Sequence, residues 1–198
     1  MQNKIHIFFI IIFNVFIMSK TFGETELNFD VSQIEILDEG NRIIGNKRGT
    51  ITTNDGIIIN ADEFEYDKNK NILQASGNIS IQDKINNYQI SSENIIYFKD
   101  TEKIVIKGNS NSLIYSNYNL KAENITIFRE EMLISSDEGA TLIDEKNETL
   151  YEINKFSYSL KDEIIKGEKI FVNTKYNQPF SDKYFFKSAI FNLRDQSY

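Results

Sequence analysis

The chain has 198 residues, 40% of them hydrophobic and 26% charged, with a formal net charge of −7, proportions that suit a single folded domain. It has no cysteine and a single histidine, His6, which lies in an apolar N-terminal stretch. Disulfides, zinc sites of the Cys or His type, and Ser-His-Asp or Cys-His nucleophile systems are thereby excluded from the rest of the chain.

Residues 1–23 read MQNKIHIFFIIIFNVFIMSKTFG. Lys4 supplies a positive start, Ile7 to Met18 an apolar run broken only by Asn14, and Thr21 and Gly23 the small residues of a cleavage site. This is the three-part pattern of a secretory signal peptide. The apolar run falls short of the roughly 20 residues that a spanning helix needs. The exported domain is then 24–198. Loss of the leader, which carries Lys4 and Lys20 and no acid, takes the formal charge from −7 to −9. A chain this acidic is not expected to bind nucleic acid, whose phosphates require clustered Lys and Arg.

The rest of the chain repeats. Ile34-Glu-Ile36, Phe64-Glu-Tyr66, Ile95-Ile-Tyr97, Ile125-Thr-Ile127 and Phe156-Ser-Tyr158 start 30, 31, 30 and 31 residues apart. Ala61, Ser92, Ala122 and Ile153 precede the last four by three positions, and Gly49, Gly77, Gly108, Gly139 and Gly167 keep nearly the same phase. A fixed period of this size marks a stacked repeat architecture.

In the second unit Ile57, Ile59 and Ala61 alternate as a half-buried strand, and Phe64 and Tyr66 alternate with the opposite parity. One slip of phase at each such place predicts a bulge that bends the strand while both halves keep facing inward. Polar turns follow at 38–41, 67–71, 100–103, 129–131 and 161–163, in residue types that favour turns. A return strand follows each turn, as in Leu73, Ala75, Gly77, Ile79 and Ile81, with its glycine placed for a second bend. No segment after the leader shows a helical period with caps. The fold class is therefore all-β, with about two bent strands per repeat.

Stacked in this way, the units predict one continuous apolar inner face. It comprises Ile59, Phe64, Tyr66, Leu73, Ile79, Ile90, Ile95, Tyr97, Ile104, Ile106, Leu120, Ile125, Ile127, Leu133, Phe156, Tyr158, Ile165 and Phe171. Periodicity alone reads this face first as a dry, self-packed core. The inner columns hold no carboxylate pair of the kind a glycosidase needs, so the expectation is a non-enzymatic protein without cofactor or metal. The acidic pairs Glu130-Glu131, Asp137-Glu138 and Asp144-Glu145 lack the spacing of a calcium loop and read as solvated turns.

The segments Ile59-Asn-Ala61-Asp-Glu-Phe64-Glu-Tyr66 and Leu73-Gln-Ala75-Ser-Gly77-Asn-Ile79, and their repeats at 90–114 and 120–143, resemble the OstA-like family of lipopolysaccharide-transport proteins: LptA, LptC and the N-terminal domain of LptD. The stretch from Tyr151 to Phe191 looks most like the later turns of the LptD periplasmic domain. The resemblance covers about 29–193 and implies a twisted, partly open β-jellyroll of V-shaped cross-section, lying in the periplasm. It implies that the inner face is a groove for the acyl chains of lipid A, lined by Ile59, Phe64, Tyr66, Leu73, Ile79, Ile90, Ile95, Tyr97, Ile104, Ile106, Leu120, Ile125, Ile127, Leu133, Phe156 and Tyr158. It also implies docking to other Lpt jellyroll proteins by strand addition at two edges, 29–36 and 185–193, with an outer-membrane lipoprotein as a further partner. A stand-alone LptA-like bridge and a structural β-solenoid with a dry core are the alternative readings.

Overall fold

The computed structural model describes residues 26–114 and 118–193, so the leader expected over 1–23 lies outside the described residues. Fifteen strands follow one another: β1 (Leu27–Val31), β2 (Ile34–Leu37), β3 (Arg42–Thr53), β4 (Ile57–Asp67), β5 (Ile72–Asp83), β6 (Tyr88–Phe98), β7 (Lys103–Lys107), β8 (Asn109–Ile114), β9 (Tyr118–Glu123), β10 (Thr126–Phe128), β11 (Leu133–Ser136), β12 (Ala140–Asp144), β13 (Thr149–Ser159), β14 (Ile164–Thr174) and β15 (Asp182–Asn192). All pairings are antiparallel and all strands belong to one connected sheet. The only helical turns among the described residues are two short 3₁₀ pieces, Asp38–Gly40 and Lys99–Thr101. None of the described helices is long and apolar enough to cross a membrane.

The sheet is folded along a line, so that it makes two walls. In β3, β4 and β5 the register shifts between Asn46 and Gly49, Asn60 and Glu63, and Ser76 and Ile79. The shift in β4 is the predicted bulge, and that in β5 falls at the glycine expected to bend the return strand. Further along, the fold line cuts strands apart: β7 ends and β8 begins around Gly108, β9 gives way to β10 at 124–125, and β11 to β12 at 137–139. The first wall therefore pairs β8, β9 and β12 between the opening half of β6 and that of β13. The second wall pairs β7, β10 and β11 between their closing halves. β1 and β2 split over the two walls in the same way against β3, and β14 and β15 span both walls. The result is a twisted, partly open jellyroll whose end strands, β1 with β2 at one end and β15 at the other, each have one edge unpaired among the described residues.

The bends have a local cause. Gly77 sits at φ +75° and its neighbour Asn78 at +47°, left-handed conformations that turn the strand sharply. A Cβ at Gly77 would lie 2.8 Å from the Asp62 carboxylate, so both backbone and space demand glycine there. At the rims the hairpins are tied by side chains. Asp83 accepts from the Ile85 and Asn86 backbone N–H groups and from the Asn86 side chain, and Asp144 caps Asn147 in the same way. Both aspartates are buried. Asp144 is thus a buried turn cap and not the solvated acid expected from the sequence, because its two oxygens replace water with turn N–H donors.

Candidate functional site

The inner face of the two walls is a long apolar surface created by the repeats, and the structure places its residues together. Of the sixteen groove residues expected from the sequence, fifteen are buried, from Ile59 at 0% exposure to Tyr66 at 6%. They pack in one cluster that runs from Ile51 to Leu193. Burial of an Ile or Leu side chain is worth about 1.5–3 kcal/mol relative to exposure, so this column dominates the stability of the domain.

Leu133 is the exception and a correction. It is half-buried on the outer side, and its neighbour Ile134 points inward. Ile134 lies directly opposite the inward Ile127, and the left-handed Met132 sets that register one residue away from the expected one. Phe171, placed on the inner face by the sequence pattern, is likewise 55% exposed, and Ile170 and Val172 are buried instead. Lys169 adopts φ +49° at the fold line, so the inward parity changes between Ile165 and Ile170. Phe171 stacks on Phe185 outside the wall, 4.8 Å between centroids.

Besides the packed apolar column, particular side-chain pairs reach from wall to wall. Near one end Phe29 of β1 meets Tyr66 of β4, centroids 6.0 Å apart. Near the other Tyr151 of β13 meets Phe191 of β15 edge-on at 5.0 Å. Between them, at the mouth, Arg129 of the β10–β11 turn pairs with Asp55 of the β3–β4 turn on the opposite wall. Arg129 also pairs with Glu102, donates to the Tyr97 hydroxyl at 3.1 Å and lies over the Tyr97 ring. The Tyr97 hydroxyl in turn donates to Glu102 at 2.8 Å. Burial resists ionisation of the Tyr97 and Tyr88 hydroxyls and pushes both well above the ordinary tyrosine range. Burial works against the Asp55 carboxylate as well, but hydrogen bonds from Thr53 and Arg129 outweigh it and hold its carboxyl below the usual range. Sequence reasoning missed this cluster. Arg129 stands in a run of turn residues, and nothing local marks a partner 74 positions away.

At the β15 end the interior opens. A cavity of about 440 Å³ is lined by Tyr151, Val172, Tyr184, Phe186 and Phe191 with a few polar neighbours, within the roughly 300–1,000 Å³ typical of small-molecule sites. Tyr184 and Phe186 pair with the inward Val172 and Ile170, yet remain about half exposed. Other hollows lie on the outer faces, lined by residues such as Asn111, Lys121 and Glu152, or Gln74, Asn94 and Lys107. No group of three or more metal-binding side chains occurs among the described residues.

The chain is similar to the crystal structure of LptH, the LptA-homologous periplasmic component of the lipopolysaccharide transport device of Pseudomonas aeruginosa, at 11% identity and a TM-score of 0.29, over 81% of this chain and 95% of that one. No family model matches the chain. No curated protein matches it either.

Proposed function

We propose that the domain binds the acyl chains of an amphipathic lipid between its two walls and hands them along the inner face. The observation that carries this reading is the open end. An unbroken apolar column reaches β15 and ends in a cavity lined by the half-exposed aromatics Tyr184 and Phe186. Each methylene moved from water into such a space contributes about 0.8 kcal/mol, so a long chain is held with no charge pairing at all. A polar headgroup stays at the mouth, in water.

The repeat pattern directs the finer reading. The lipid is lipopolysaccharide, sheltered through its lipid A chains, and the chain acts in the periplasm after export by its leader. It works as the N-terminal part of an LptD-like assembly protein, or as an LptA-like bridge standing alone. Other jellyroll domains of the same transport system add to the free edges of β1, β2 and β15 by main-chain pairing, and an outer-membrane lipoprotein is a further partner.

A second reading has its own support. The inner side chains are packed nearly to zero exposure along most of the column, as a purely structural β-solenoid requires. Photo-crosslinking separates the two. A benzophenone side chain at Phe186 or Ile125 should capture lipopolysaccharide, and one at the outward Glu65 should not. Capture from Glu65 alone would leave the structural reading.

A further inference from the structure

The lipid reading needs the walls to part, because the column is shut along most of its length. We propose that the Arg129–Asp55 pair is the latch that holds the mouth closed, and that its release is the step that admits a chain to the interior. The inference rests on that reading for its purpose, but the latch itself is a property of the fold.

Five observations place it there. The pair joins rim turns on opposite walls, the β3–β4 turn and the β10–β11 turn. Two aromatic contacts between the walls sit toward the ends of the stack, where Phe29 meets Tyr66 and Tyr151 meets Phe191. Arg129 is anchored on its own wall by Glu102 and Tyr97, so losing Asp55 does not strand a bare guanidinium. Asp55 is the exposed partner, 43% against 11% for the Arg129 side chain, and it hydrates readily when it lets go. A strut would be satisfied on both sides and costly to break. This contact is cheap to break on one side only, as a latch must be. The Arg129 Nε–H also has no acceptor in the closed state, so closure leaves one buried donor unpaired.

Thr53 prepares the catch. Its hydroxyl donates to the Asp55 carboxylate, and Gly56 at φ +95° closes the tight turn that presents it. The same hydroxyl accepts the Ile57 N–H at 3.0 Å, so the turn keeps its shape when Arg129 leaves.

The absence of cysteine makes the test clean. Spin labels on Asn54→Cys and Glu130→Cys, two exposed positions on facing rims, report the width of the mouth by pulsed dipolar spectroscopy. In the otherwise unchanged chain the distances should form one narrow population. Asp55→Ala, which leaves the contacts of Arg129 to its own wall intact, should add a longer population. Arg129→Gln should do the same provided its circular dichroism matches the parent. Uptake of a fluorescent long-chain fatty acid should rise by on the order of tenfold in Asp55→Ala, in line with the loss of one charge-assisted hydrogen bond. Identical distance distributions in parent and Asp55→Ala would overturn the latch. A widened mouth with no uptake in any variant would retain the latch and defeat the lipid reading, so the two failures are distinct.

Discussion

Individual side chains decide which way each strand faces, and the clearest instance is the pair Leu133 and Ile134. Alternation from the sequence places Leu133 inside, but the structure places Ile134 there, opposite Ile127. Truncating Ile134 to Ala should therefore cost about 2–5 kcal/mol by leaving a cavity, and Leu133→Ala about 1 kcal/mol or less; urea denaturation of the two variants ranks them. Gly77→Ala meets both a left-handed backbone and a carboxylate 2.8 Å away, and a loss of about 1–3 kcal/mol is expected by the same assay. Asp55 gives a pH signature. Its folded carboxyl lies below the ordinary value, so its contribution is fully present above the unfolded value of about 3.9 and is lost as the pH falls through the depressed one. The stability gap between the parent and Asp55→Asn should stay level from about pH 8 to 5 and shrink below about 4.

At the scale of strands and turns, much of the architecture was legible. The slip between Ala61 and Phe64 announces the fold line, and the bulge between Asn60 and Glu63 is its realisation. Gly77 and Gly108 mark the same line on return strands because an L side chain resists their positive φ. Legibility ends where the bend is made without glycine or a fixed slip. Lys169 turns β14 with a left-handed backbone that any polar residue could hide, which is why Phe171 looked inward from the pattern alone. The Arg129 cluster was illegible for a different reason: it joins units far apart in sequence, and its position depends on how the two walls twist past each other. β15 carries the prediction at this scale. Tyr184 and Phe186 line the open cavity and support little of the core. Replacing both with Lys should abolish binding of a fatty-acid probe while leaving the unfolding free energy within about 0.5 kcal/mol of the parent, as for exposed sites.

Taken whole, the molecule is a row of neighbours. Each strand pairs with its neighbours in the sheet, and among the described residues the unpaired edges stand at the two ends of the row. Such arrays unfold from their ends, because terminal units have one partner instead of two. Native-state hydrogen exchange should accordingly show greatest protection in β5 and β6, with less in β15 and least in the short β2; uniform protection along the row would contradict this. The row also behaves as a measuring rod. Every repeat of about 30 residues contributes two strands to each wall, and strands lie about 4.8 Å apart, so one repeat adds close to 10 Å of reach. Inserting or deleting a whole repeat would change how far the molecule extends without altering its cross-section or its mouth. The distance this chain spans is thus written in its repeat count, independently of the residues that decide what it holds.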